Sequence, residues 1–219
     1  MKSTLEPVAD LPIYIRLLDV GADKPLPFTD PSREVNPALG KRGIRFLMDY
    51  PELLRTQLNA LLKLSCDFNL HIIVPMVTLP SEMEHVRTCL AEEAEQLQIS
   101  SLPNVGAMIE TPAAALGAKA IAESSDFFSL GTNDLTQYVF AADRENSSVD
   151  HYFKDTDSVL FRLMSMIRQD LPDIGISVCG ELAGYPEQVE KILRCGVNSL
   201  SVAPALIPQI KESIRNIRL

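Results

Sequence analysis

The sequence predicts an α/β fold built on a parallel sheet, and three features of the chain lead there. Apolar runs of strand length alternate with longer segments of helical period. No two-residue turn signal joins one strand run to the next, and the runs are apolar almost throughout, as suits strands covered on both faces.

In order, the first strand run is IYIRLLDV (13–20), and NPALGKRGIRF then suggests a short helix after Pro37 and Gly40. Leu54, Leu58, Leu61 and Leu62 recur at helical spacing and read as core, and HIIVPMV (71–77) is the next strand. Met83, Val86, Leu90 and Leu97 mark a further helix before the strand VGAMIE (105–110). DFFSL (126–130) ends at Gly131, after which Thr132 or Asn133 would cap a helix with Asp134 at its positive end. FKDTDSVLFRLMSMIRQ reads as a helix capped by Asp157 or Ser158, followed by the strand ISVCG (176–180). YPEQVEKILRCG is a helix opened by Pro186 and stopped by Gly196. SLSVA (199–203) is the last strand run, and PALIPQIKESIRNIRL is helical.

A closed barrel is the leading architecture. A (β/α)8 barrel of the TIM type has eight strands and about 250 residues, whereas 219 residues supply six strand runs. The expectation is one partial barrel domain over 1–219, holding strands three to eight and lacking the first two.

The balance of 20 Lys and Arg against 29 Asp and Glu, a formal charge of -9, disfavours a nucleic-acid backbone as partner. An anionic substrate must therefore find local arginines. No apolar run reaches bilayer length and the start MKSTLEPVADLPIY has no signal-like core, so the cytoplasm is the default and membrane insertion is not expected. Cys66, Cys89, Cys179 and Cys195 form no C-x-x-C pair and read as reduced thiols. His71, His85 and His151 form no triad and read as structural or solvated.

Chemistry gathers at the strand ends, where barrels and open α/β sheets bind ligands. Arg16 lies in the first strand run, where a buried guanidinium needs an anion; Asp19 is the internal candidate, and Gly21, Asp23 and Lys24 follow. Of Arg42 and Arg45, a short helix could aim one guanidinium at the same place, in the bidentate manner that suits phosphate and carboxylate. Glu110 and Asp134 project from neighbouring strand ends. A paired magnesium site, general acid/base catalysis and helix capping all suit them. Asn133 and Arg144 face whatever lies beyond the strand. Cys179, before Gly180 and Glu181, is a candidate proton donor or nucleophile, against the alternative of a small buried hydrophobe.

RLLDVGADKPLP, NPALGKRGIR, IETPAA, GTNDLTQYVFAADREN and VCGELAG, in this order, resemble the blocks of the phosphoenolpyruvate-binding barrel of the PEP-utilising enzymes. CGELAG and the DREN ending most resemble enzyme I of the bacterial sugar phosphotransferase system. The resemblance implies that Arg16, Arg42, Asn133 and Arg144 bind phosphoenolpyruvate, that Glu110 and Asp134 hold Mg2+, and that Cys179 exchanges a proton with the enolate carbon. It implies phosphoryl transfer to a histidine on a separate domain, which this chain lacks, with pyruvate released, a downstream phosphocarrier protein and a homodimer. A catalytically incomplete barrel serving as a sensing or dimerisation module is the alternative. A magnesium-dependent 2-oxoacid aldolase, which would not need Cys179, is a third.

Overall fold

The computed structural model describes residues 2–20 and 34–218, so the expectations placed on Gly21, Asp23 and Lys24 lie outside the described residues. Six strands stand in one sheet in chain order, β1-β2-β3-β4-β5-β6, and the pairings resolved residue by residue are parallel. The chain divides into two compact units, 1–107 and 108–219.

In the first unit, α1 (Lys2–Leu5) precedes β1 (Ile13–Arg16), which pairs in parallel with β2 (Leu70–Val77), Arg16 opposite Ile73. β1 is shorter than its apolar run. Leu17 still donates to the Ile73 carbonyl, but the Leu18 N–H is taken at 2.8 Å by Oε1 of Gln57, which draws the chain off the ladder. Then come α2 (Ile44–Asp49), α3 (Pro51–Ser65) and α4 (Pro80–Leu97). Leu54, Leu58, Leu61 and Leu62 of α3 and Met83, Val86 and Leu90 of α4 are buried as their spacing predicts, while Leu97 is only half-buried. Each such side chain contributes about 1.5–3 kcal/mol of transfer free energy. Glu82 fixes the start of α4 by accepting the N–H of Thr78 at 2.6 Å and of Leu79 at 2.8 Å. Arg55 ties α3 to α4 by pairing with Glu92 and Glu93.

β3 (Asn104–Ile109) runs across the boundary between the units. The second unit continues with α5 (Pro112–Leu116), α6 (Ala118–Ala122), β4 (Phe127–Gly131), α7 (Thr132–Phe140), α8 (Ser158–Asp170), β5 (Gly175–Cys179), α9 (Val189–Arg194), β6 (Ser199–Leu200) and α10 (Ile207–Arg215). β5 pairs in parallel with β4 and with β6. Strand alternation puts buried Phe128, Leu130, Ile176 and Val178 on one face and Ser129, Gly131, Ser177 and Cys179 on the other. β6 is shorter than predicted, although Ser201 still donates to the Val178 carbonyl at 2.8 Å.

Of the two proposed caps of α8, Asp157 is the one used, accepting from the Val159 N–H at 2.9 Å. Pro186 opens a 3-10 turn rather than α9 itself, and Gly196 at φ +85° ends that segment. At the amino end of β5, Arg168 donates to the Gly196 carbonyl and to Asn198 Oδ1, which also accepts the Ile176 N–H.

Candidate functional site

In the first unit two guanidiniums meet on one carboxylate. Asp19 is half-buried, its side chain 8% exposed; Arg16 Nη1 lies 3.3 Å from its Oδ2, and Arg42 Nη2 lies 3.3 Å and 3.5 Å from its two oxygens. The trio carries one net positive charge, so the carboxylate holds the two cations side by side without cancelling both. The Arg16 side chain is 48% exposed, which corrects the expectation of a buried guanidinium: β1 alternates, and Tyr14 and Arg16 fall on its open side. Arg42 does not ride on a helix; it stands in the turn before α2, with 13% of its side chain exposed. Arg45, the other candidate, is engaged with the Leu39 and Gly40 carbonyls and the Thr78 hydroxyl, and so has a structural role.

The second unit assembles the ends of β4 and β5 around the first turn of α7. The expected cap is not there. Gly131 holds the N-cap position, with no side-chain cap bond, and Thr132 and Asn133 are turned to β5 instead. Thr132, fully buried, donates its hydroxyl to the Cys179 carbonyl at 2.7 Å. Asn133 Oδ1 accepts the Glu181 N–H at 2.9 Å, which fixes the amide's orientation and leaves its NH2 group as the face it can offer an anion.

Two glycines make room for these contacts. A β-carbon on Gly131 would stand 2.5 Å from Glu110 Oε2 and 2.9 Å from Glu110 Cβ, so the Glu110 side chain lies directly over that residue. At Gly180, φ +92° and ψ -177° belong to a region used essentially by glycine alone. A β-carbon there would stand 2.7 Å from Asn133 Oδ1 and closer still to Thr132 Oγ1.

Glu110 is 2% exposed and Asp134, in the first turn of α7, 6%. Two carboxylates this buried need compensating charge or donors. Among the described residues no three His, Cys, Asp or Glu converge as a metal cage. A cation held by this pair would complete its shell from water and substrate oxygens, which is how magnesium binds, so the donor set fits that ion.

Cys179, half-buried at the end of β5, donates its thiol to the Leu130 carbonyl at 3.4 Å and accepts from the Ser129 hydroxyl at 3.6 Å. Arg144 is exposed in the turn after α7, anchored by its backbone N–H to Gln137 Oε1 at 3.1 Å, and forms no ion pair among the described residues. Glu110 lies over Gly131, whose register partner is Cys179, and Asn133 and Thr132 reach across to the end of β5; Asp134 follows Asn133 in the first turn of α7, and Arg144 is held from the same helix. His71 stacks on Tyr14, His85 faces Cys89 within α4, and His151 is exposed beside Asp150.

From the sequence Ser129 drew no role and Thr132 only that of a helix cap. The register that sets Ser129 opposite Ser177, diagonal to Cys179, was the signal that could have marked it.

Buried carboxylates, an oriented amide and a thiol near the carboxyl ends of parallel strands make an α/β protein of the class whose strand-end groups suit a small anionic ligand. The chain belongs to a known family of this kind: the family described as "PEP-utilising enzyme, PEP-binding domain" matches residues 1–219. It is 36% identical over 223 residues to the phosphoenolpyruvate-protein phosphotransferase of Priestia megaterium, covering 99% of this chain and 39% of that one. Against the protein of the same name from Bacillus subtilis (strain 168) it is 36% identical over 215 residues, 94% of this chain and 38% of the relative. A multiphosphoryl transfer protein of Xanthomonas campestris pv. campestris is 40% identical over 210 residues, 93% and 25% of the two chains. The chain therefore spans about two fifths of the phosphotransferases it matches. Among solved structures, a citrate lyase beta subunit from M. tuberculosis, complexed with oxaloacetate and magnesium, superposes with a TM-score of 0.46 at 15% identity over 66% of this chain and 61% of that one. A likeness at that level decides nothing about ligand or reaction.

Proposed function

We propose that the chain is the phosphoenolpyruvate-binding part of a phosphotransferase. It binds phosphoenolpyruvate with Mg2+ and supports phosphoryl transfer to a protein histidine supplied by another domain, releasing pyruvate. The observation that supports this reading is the Cys179 thiol at the end of β5, next to Gly180 over which the oriented Asn133 amide lies, with Gly131, its register partner on β4, lying under Glu110. Such a set matches an enolate that must be protonated on carbon after its phosphate leaves.

The roles follow from the chemistry. Arg16, Arg42 and Arg144 bind phosphate and carboxylate as guanidiniums do, and the Asn133 NH2 donates to the same anion. Glu110 and Asp134 would hold Mg2+, which when bound supplies positive charge where the phosphoryl group departs. Cys179 gives its proton to the methylene carbon of the enolate and makes the methyl of pyruvate. The partners of this reading are the phosphohistidine domain, a downstream phosphocarrier protein and a second copy of the chain. The architecture is a TIM-type (β/α)8 barrel with this chain contributing six strands, and the compartment is the cytoplasm, where four thiols stay reduced. Among the described residues no helix is long and apolar enough to cross a membrane.

Calorimetry tests the binding step: phosphoenolpyruvate should bind in the presence of Mg2+, and Arg144→Ala should weaken it by roughly ten- to a hundredfold, the worth of a charge-assisted hydrogen bond. Binding indifferent to the metal and to Arg144 would overturn the assignment. Binding without incorporation of solvent deuterium into the methyl group of pyruvate would reduce the chain to a sensing module.

A further inference from the structure

Ser129 is a buried hydroxyl, 2% exposed, in the middle of β4, and its one hydrogen bond among the described residues goes to sulfur: Oγ to Cys179 Sγ, 3.6 Å. The register explains the meeting. Ser129 stands opposite Ser177 and Gly131 opposite Cys179, so hydroxyl and thiol are diagonal neighbours on one sheet face. The two serines of that face are used differently. Ser177 donates to the Phe128 carbonyl at 3.2 Å, an ordinary backbone contact, whereas Ser129 points to the thiol.

A neutral thiol is a weak acceptor, and a buried hydroxyl gains little by donating to one. A thiolate is charged and accepts strongly. The Ser129 contact therefore strengthens as Cys179 loses its proton, and an interaction that strengthens along the reaction accelerates it. On this basis the geometry points to Ser129 as the positioning residue for the proton step at Cys179.

The inference rests on the reading of Cys179 as proton donor. In that step the S–H bond breaks, a C–H bond forms at the methylene carbon of the enolate, and the S–H electron pair stays on sulfur. The Ser129 hydroxyl keeps its own proton and donates its hydrogen bond to the new anion. Thr132 supports the same residue from the backbone side, through the Cys179 carbonyl.

The test compares wild type, Ser129→Ala and Ser177→Ala. Three quantities are read: the Mg2+-dependent rate at which solvent deuterium enters the methyl group of pyruvate, the Kd for pyruvate, and the rate at which iodoacetamide alkylates Cys179, mapped by mass spectrometry. Ser129→Ala should slow exchange about tenfold and slow Cys179 alkylation, with Kd within about twofold of wild type, because the lost bond is to a charged sulfur and not to the ligand. Ser177→Ala removes a hydroxyl from the same face without touching sulfur and should leave all three within about twofold. Equal exchange in wild type and Ser129→Ala, or equal slowing by both serine variants, overturns the inference. If wild type itself shows no exchange, the proposed function fails, and the alkylation rates then decide separately: unchanged reactivity of Cys179 in Ser129→Ala overturns the role of Ser129.

Discussion

Replacing Gly180 by alanine should be far more damaging than the loss of one hydrogen atom suggests. The backbone there has φ +92° and ψ -177°, and holding an L-residue in that region costs about 1–3 kcal/mol. The new methyl would also sit 2.7 Å from Asn133 Oδ1 and 3.2 Å from the Asn133 backbone nitrogen, so the first turn of α7 has to move. That movement breaks Thr132 Oγ1–Cys179 O and Asn133 Oδ1–Glu181 N, each worth about 1 kcal/mol net. Together these give a destabilisation of about 2–5 kcal/mol, read as the shift in urea midpoint at unchanged m-value. Gly175, at the other end of β5, is the internal control. A β-carbon there meets only Phe127 Cβ, at 3.8 Å, an ordinary contact. Gly175→Ala should fall within about 1 kcal/mol of wild type and can stabilise by restricting the unfolded chain. Equal effects of the two substitutions would refute the argument, because they would mean that neither the dihedral nor the two strand-end bonds carries weight.

Gly131→Ala should leave the strand intact but push Glu110 away, since the methyl would lie 2.5 Å from its Oε2. Mg2+-dependent phosphoenolpyruvate binding by calorimetry should weaken about ten- to a hundredfold, and undiminished binding would remove Glu110 from the metal site. Tyr185 offers a pH test. Its hydroxyl donates to Asp155 Oδ2 at 2.8 Å, and that bond, with burial, pushes the phenol up to about 12. The raised value favours the neutral form in the folded state. The stabilisation is complete below the ordinary phenol range near 10 and is lost as pH rises through about 12. Wild type should exceed Tyr185→Phe in urea midpoint at pH 8, and that margin should shrink by pH 11; a margin that is constant or grows would contradict the assigned bond.

Much of the architecture was legible because strand period and burial agree. β2 to β5 fall within a residue of their apolar runs, and the leucines of α3 are buried as their spacing requires. The errors have local causes. β1 stops early because Gln57, about forty positions away, captures the Leu18 N–H, and nothing near Leu18 announces this. Arg16 looked buried because it sits in an apolar run, yet on a strand whose residues alternate it falls on the open side. Thr132 and Asn133 looked like helix caps because their residue types favour that position. Gly131 takes the place instead, and both side chains are spent across the sheet. Ser129 escaped notice because an uncharged hydroxyl carries no chemistry until its partner is known, and that partner lies some fifty residues on.

The glycines Gly131 and Gly180 do more than turn the chain. Each end of a strand is the floor on which the preceding segment rests: Glu110, beyond β3, lies over Gly131 at the end of β4, and Thr132 and Asn133, beyond β4, lie over Gly180 beyond β5. The carboxylate, the amide and the thiol are therefore linked laterally, through positions that a β-carbon would fill. Substitutions along this line should not be additive, because displacing α7 from Gly180 also moves the segment against which Glu110 packs. Asn133→Ala in a Gly180→Ala background should accordingly cost less than it does in wild type, the Glu181 N–H having already lost its partner. A full additive loss in the double variant would mean that the two strand ends respond independently and that the lateral link does not exist.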